Sequence, residues 1–451
     1  MYSDRFSYEN MISIYQNIKN KKLTTGIDRI TKKHYDMIYE KDLKIVSDKI
    51  LRNAYKPTPY KEILLLKNRN SKPRMLSLPT IRDKVILEIL KNILKETCDI
   101  EKDKLPDLID KISLAMKSKA YDSYIKLDIK GYYDNINHNI LMKLLKSNIK
   151  DKVILNLIKI YLKNITITDA QPNTTRSKVN KKGVPQGISI SNNLGEIYLK
   201  SFDKYFKELP NCSYFRYVDD ILIFCKFCDL ENIKYEAQNL LKSESYRLKA
   251  SNEKCECGLI IPFDFLGYHF YEGGKIGIAK KNINKLELSL EKIFSDFHTS
   301  HDKRIKNNFE LLKWKIDFRI TGCFKDGRRY GWVIFFYQNQ ILSTFYHFDW
   351  LIVQLSVRYG LSDKLILNNK YKGKKFVKTY HEFINRQDNS EYIPNIDKFT
   401  NEMKRDVLIR VCKRKESYVN SLNDYLLENV FNKFIFSTIS DIEKDLYQIY
   451  T

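Results

Sequence analysis

Two adjacent aspartates, Asp219 and Asp220, lie in the stretch FRYVDDILIF (215–224), between two apolar, aromatic-rich runs. Side chains alternate faces along a strand, and a tight turn presents its own residues outward. Tyr217-Val218-Asp219-Asp220 therefore reads as a hairpin turn whose flanking strands mount the carboxylates rigidly. Crowded carboxylates repel, so a cation is their natural complement. A hard divalent ion such as Mg²⁺ takes one or two of them together with substrate phosphates. Asp-Asp alone is also an ordinary turn signal. A third acid shifts that balance: Asp128 closes the alternating run Tyr124-Ile125-Lys126-Leu127 and so stands at the end of a second strand. Three such acids can carry two ions about 3.5–4 Å apart, which would activate an attacking hydroxyl and stabilise a leaving pyrophosphate.

The elements that must position these acids follow from apolar periodicity. Residues 7–20 and 41–54 have helical spacing. KEILLLK (61–67) and RMLSL read as strands joined by the polar turn NRNSKP, a basic hairpin, and 80–100 as a long amphipathic helix opening at Thr80. SYIKLDIKGYY (123–133) reads as a strand and HNILMKLLKSNI (138–149) as a helix behind a turn. The glycine-bounded loop GVPQG (183–187) precedes another helix, the acidic stretch forms its hairpin, and a helix covers 229–247. FDFLGYHFYEGGKIGI (263–278) forms a last hairpin; from about 281 the pattern is mainly helical and basic, with loops at Gly373 and Pro394. No internal repeat or low-complexity tract interrupts this order, which is that of an α+β fold.

The 451 residues suffice for two or three packed units. Lys and Arg number 79 against 55 Asp and Glu, a net charge of +24 that attracts polyanions, nucleic acid foremost. The 31 tyrosines and 24 phenylalanines add stacking surface, although most aromatics fill cores. No apolar run approaches the roughly 18–20 residues that span a bilayer, and MYSDRFSYEN lacks the pattern of a secretory signal. Eight unevenly spaced cysteines do not make a disulfide framework, so a reduced, cytoplasmic protein without membrane contact is expected. Cys225-x-x-Cys228 with Cys255-x-Cys257 departs from the usual four-ligand zinc spacing, and the seven histidines form no ligand grouping.

Seven segments in order resemble the reverse-transcriptase superfamily, in particular prokaryotic members related to group II intron and retron enzymes. They are TTGIDRIT (24–31), the hairpin KPRMLSLPTIRDKVI (72–86), IKLDIKGYYDNINH, GVPQGISISNNLGEIYL (183–199), YVDD (217–220), LKASNEK (248–254) and FDFLGYHF (263–270). The resemblance implies a right-hand polymerase with an N-terminal region and fingers over 1–117 and a palm over 118–278. That palm, an antiparallel sheet plus helices with finger insertions, carries motifs at 123–138, 183–199, 214–225, 248–254 and 263–270. A thumb-like helical region (279–360) and a basic helical C-terminal region (361–451) complete it. It further implies that Asp128, Asp219 and Asp220 ligate two Mg²⁺ ions, Mn²⁺ being the alternative, with the Ile129 backbone as a further candidate ligand. Lys254 is implied as general acid to the pyrophosphate. Lys72, Arg74, Arg82, Tyr133, Gln186 and Gly187 are implied as nucleotide contacts, Tyr133 as an aromatic gate against the 2′-OH. Tyr217, Val218, Leu266 and Gly267 are implied as primer contacts. A point-charge Lys and a bidentate Arg suit a triphosphate on physical grounds as well.

RITGCFKDGRRYGWVIFFYQNQ (319–340) and the helical layout are similar to bacterial defence-associated reverse transcriptases, the "unknown group" relatives of abortive-infection enzymes. An intron enzyme's maturase region and Cys-rich tail, and a retron's Val-Thr-Gly near the thumb, are not evident. The expected activity is RNA-directed DNA synthesis from dNTPs on a structured non-coding RNA in anti-phage defence, giving a DNA product. A second reverse-transcriptase subunit or a homo-oligomer is the candidate protein partner. The basic runs NNKYKGKKFVKTYH (368–381) and KRDVLIRVCKRK (404–415) are candidate RNA contacts or solvated helix faces. Two alternatives stand beside this reading: a non-templated or protein-primed polymerase of abortive-infection type, and a maturase-like RNA-binding protein with a vestigial site. Three intact carboxylates weigh against the last.

Overall fold

A computed structural model describes residues 2–19, 23–65, 73–100, 102–168, 179–302, 305–444 and 446. The chain divides into two compact units, Met1–Ile260 and Ile261–Thr451, so the hairpin at 263–278 belongs to the second.

In the first unit, Tyr60–Leu65 (β1) pairs antiparallel with Arg74–Leu78 (β2). Next come Ser123–Asp128 (β3) and the short Thr166–Ile167 (β4), which runs parallel to β1. Cys212–Tyr217 (β5), Asp220–Cys225 (β6) and Glu256–Leu259 (β7) join β3 in an antiparallel sheet of order β5-β6-β3-β7. Its inner strands are buried on both faces: Ile221 to Cys225 of β6, and Tyr124, Ile125 and Leu127 of β3, are all solvent-inaccessible or nearly so. Such near-continuous apolar runs are what strands covered on both sides require. Helices Tyr8–Ile18, Lys32–Leu51 and Ile81–Thr97 pack together, each opened by a hydroxyl cap: Ser7 accepts from the Asn10 N–H, Thr31 from His34 and Thr80 from Asp83.

Several elements depart from their expected bounds for physical reasons. The helix expected at 41–54 starts at Lys32, where Thr31 caps a mostly exposed first half that shows little apolar periodicity. The long helix from Thr80 ends at Thr97, and a separate helix, Leu105–Lys117, follows. The strand expected to run to 133 stops at Asp128, because Gly131 turns left-handed (φ +55°) and Tyr132–Asn135 coils into a helical turn. Lys152–Lys163 forms a further amphipathic helix behind the Asp151 cap.

The second unit opens with Phe263–Phe265 (β8), Tyr268–Phe270 (β9) and Ile276–Ile278 (β10) in one antiparallel sheet. Helices then dominate, among them Lys280–Thr299, Phe309–Thr321, Ser343–Arg358, Phe376–Arg386 and Asp424–Glu443. Inside 319–340 lies a hairpin, Cys323–Lys325 (β11) with Arg328–Tyr330 (β12), turning on Asp326-Gly327. Asp-Gly between short strands is a strong hairpin signal, and it interrupts a region expected to be helical. No described helix is long and apolar enough to cross a membrane.

Candidate active site

The register of the palm sheet brings the acids together. Asp128, the last residue of β3, lies directly opposite Asp220, the first of β6, and β5 closes its hairpin through Tyr217 opposite Asp220. Val218 and Asp219 are thus the whole two-residue turn. Only Val218 takes positive φ (+60°), at the first central position that glycine usually fills in such a turn. A β-branched residue there costs on the order of 1–3 kcal/mol and persists only when its surroundings enforce it. They do: Arg216 Nη1 donates to the Val218 carbonyl at 2.8 Å, and the Ile129 N–H to the Asp219 carbonyl at 3.2 Å.

Arg216 is itself locked. Its guanidinium, 6% exposed, bonds Asp203 through Nε at 2.6 Å and Nη2 at 2.5 Å, and Glu196 through Nη2 at 2.5 Å. Both acids stand on the helix Ser191–Glu208, and Tyr214 Oη also donates to Asp203 at 2.7 Å. Burial opposes the arginine's charge, but the two carboxylates outweigh it and hold its pKa far up. This brace went unassigned in the sequence. Its one signal was an arginine inside an apolar strand, and the partners are far away along the chain.

The acids carry the electrostatic signature of crowding. Burial pushes Asp220 up to about 6, with Asp219 and Asp128 adding to it. Burial raises Asp219 too, aided by Asp128 and opposed by Lys254 and Arg74. Lys254 Nζ donates to Asp128 Oδ1 at 2.8 Å, a bond that raises the lysine's own pKa. An ammonium thus rests where these charges call for a cation. Among the described residues no three acid, histidine or cysteine side chains converge as a metal cage. One or two carboxylates, with water and phosphate completing the shell, is the pattern that suits Mg²⁺.

The other expected nucleotide contacts fall into two groups. Arg74 Nε donates to Gln186 Oε1, Gln186 Nε2 to Asp134 Oδ1 at 3.3 Å, and the Ser77 N–H to the Gln186 carbonyl at 2.7 Å. These bonds tie β2 to the GVPQG loop. Gly187 (φ +100°) makes the approach feasible, since a Cβ there would lie 3.2 Å from the Ser77 carbonyl oxygen. Tyr133 is buried on its helical turn, its hydroxyl donating to Asn192 Oδ1 at 3.0 Å. Its ring lies against Gly195, where an added Cβ would be 3.2 Å from Tyr133 and 3.3 Å from Tyr132.

Arg82 is engaged elsewhere, in a two-pronged pair with Asp42 (Nε to Oδ2, 2.7 Å). Its neighbour Asp83 is buried and accepts from Thr80, Tyr55 and Tyr161. Lys72 lies outside the described residues. The half-buried ring of Tyr217 has Lys102 Nζ 5.2 Å from its centroid. Leu266 and Gly267 form the β8–β9 turn of the second unit, both at positive φ, and the Gly267 carbonyl accepts from Asn282 Nδ2 at 2.9 Å.

An antiparallel sheet with acids at two adjacent strand ends, beside a basic hairpin and a glycine loop, is the palm of a right-hand polymerase fold. Residues 65–270 match the family model described as Reverse transcriptase (RNA-dependent DNA polymerase), and this part of the chain is a reverse-transcriptase domain. Over 205 residues the chain is 30% identical to "Group II intron-encoded protein LtrA" of Lactococcus lactis subsp. cremoris, covering 43% of this chain and 33% of that protein. It thus spans only a third of that relative's length. "Protein YkfC" of Escherichia coli (strain K12) is 23% identical over 347 residues, covering 66% of this chain and 86% of that one. Among solved structures, telomerase from Candida albicans in complex with a telomeric RNA fragment aligns at 16% identity. It covers 87% of this chain and 69% of that one with a TM-score of 0.40, a likeness too loose to carry a functional argument.

Proposed function

We propose that this protein is an RNA-directed DNA polymerase that extends a primer with dNTPs. The observation that carries the reading is the register placing Asp128 opposite Asp220, with Asp219 in a turn pinned at both carbonyls. Asp128 and Asp219 are the residues that would hold divalent ions, with Asp220 and the Ile129 carbonyl as further donors. Bound Mg²⁺ would lower the pKa of the attacking hydroxyl and neutralise charge on the phosphates. The chain's own groups do the rest. Arg74 and Gln186 present donors to the nucleotide, and Lys254, kept protonated by Asp128, supplies a proton to the departing pyrophosphate. Tyr133 offers a rigid edge beneath the sugar.

We further take its setting to be anti-phage defence on a structured non-coding RNA, a reading supported by the likeness of 319–340 and of the helical layout to defence-associated enzymes. Two experiments test these levels separately. Asp219→Ala with Asp220→Ala should abolish Mg²⁺-dependent dNTP incorporation while the protein still folds; retained incorporation would remove the assigned site. Sequencing the nucleic acid that copurifies, with its extension products, should return one structured RNA and complementary cDNA. DNA unrelated to the RNA would instead indicate non-templated synthesis, and RNA without any synthesis a maturase-like role.

A further inference from the structure

We propose that the second unit carries a seat for a single-stranded nucleic-acid segment, in an open cleft between the helices Lys280–Thr299, Phe309–Thr321 and Asp424–Glu443. The cleft has a volume of about 880 Å³ and is lined by eight lysines and arginines against three aspartates. Lys444 is paired with Asp441 at 2.6 Å, and Arg319 spends its Nη groups on the Asp441 and Ile442 carbonyls at 2.9 and 3.1 Å. Lys292, Lys315, Lys413 and Lys433 have no ion-pair partner among the described residues. Like charges gathered around one concavity repel, and the low-dielectric walls focus their field onto whatever enters.

The ligand class follows from how the charges are distributed. The four lysines come from the three helices and from the segment after Val407–Val411, so they match an anion with several charges along its length. Ser289, Ser437 and Thr438 line the same space, and so does the aromatic Phe434. Trp314 backs that wall, stacked on Phe318 (centroids 4.3 Å) and 5.8 Å from Phe434, with its indole N–H buried and unpaired among the described residues. Spaced cations with aromatic surface are the recipe for binding a strand by phosphate contact and base stacking. An acidic peptide would use the charges but leave the ring surface without a flat partner.

The ligand class rests on the polymerase reading, but the test needs no polymerisation. Anisotropy of a fluorescein-labelled single strand, as RNA and as DNA of one sequence, is measured on the full chain without dNTPs. Lys292→Glu with Lys433→Glu should weaken binding at least about tenfold and reduce the salt slope by roughly 1.4. A control pair on the first unit, Lys33→Glu with Lys44→Glu, changes net charge equally and should cost much less. Ser437→Trp, a neutral plug, should also weaken binding tenfold or more, and Lys292→Ala with Lys433→Ala provides a milder pair if charge reversal unfolds the chain. A preference for RNA or for DNA supports the seat and names the strand. Equal losses in cleft and control pairs, full binding by the plugged variant, or competition by poly-glutamate as effective as by RNA of equal charge would each overturn it.

Discussion

Arg216 concentrates the energetics of the site in one side chain. It pairs with two carboxylates of one helix and holds the carbonyl of a strained valine, so its removal acts on stability and on geometry separately. Arg216→Met removes the close counter-charge of buried Glu196, which keeps only Lys102 Nζ at 3.9 Å, and of part-buried Asp203, and should cost about 3–5 kcal/mol in denaturant unfolding. Arg216→Lys keeps the charge but lacks the fork that reaches three acceptors. It should fold, and lose on the order of 10²-fold in kcat with little change in KM for dNTP, as a shift of the turn predicts. A KM effect of the same size would place the arginine in substrate binding. The acids themselves predict a pH dependence. The folded pKa of Asp220 is raised to about 6, so its contribution to stability is fully present below the ordinary aspartate range and is lost as pH rises through 6. Above that pH a bound divalent ion would take the proton's place. Mg²⁺ should therefore raise the Tm more at pH 8 than at pH 5, and Asp219→Asn with Asp220→Asn should erase the difference in a thermal-shift assay.

At the scale of elements, the aromatic edge at Tyr133 is set by the helix Ser191–Glu208 as much as by its own turn. Asn192 holds the hydroxyl, and the missing side chain of Gly195 lets both tyrosine rings settle. Tyr133→Ala should admit ribonucleotides, lowering the dNTP/rNTP ratio of kcat/KM about tenfold or more. Gly195→Ala should lower it in the same direction by displacing the rings; unchanged discrimination in both variants would make Tyr133 a core residue. The hairpin around the acids and the β1–β2 hairpin were legible, because alternation and turn chemistry are local signals. The early stop of β3 at Asp128 was not, because it depends on one left-handed glycine within an otherwise strand-like run. The β11–β12 hairpin was missed although Asp326-Gly327 announces it, since its strands are only three residues long.

At the scale of the whole molecule, the charge surplus of +24 is a long-range property that no single contact explains. RNA affinity should fall linearly on a log–log plot against salt, by about 10³-fold or more between 50 and 200 mM if six or more phosphates are engaged. A flat response would mean that the surplus only solubilises the surface. Division at Ile260–Ile261 also separates two kinds of question. Asp128, Asp219 and Asp220, the GVPQG loop and Lys254 all lie in the first unit, whereas the β8–β9 turn and the basic cleft lie in the second.

Residue types and spacing alone determined that three acids end or join apolar strands, that a basic hairpin and a glycine loop accompany them, and that the chain carries a charge surplus suited to a polyanion. Those features are written in alternation, turn chemistry and net charge, which act over a few residues or over the whole chain. Only the tertiary structure decided that Asp128 faces Asp220, that Arg82 is committed to Asp42, and that Arg216 braces Val218 through two acids on a helix. Apart from the Arg216–Val218 bond itself, those are contacts between residues well separated in the chain, where burial turns a pair of ordinary charges into a fixed geometry.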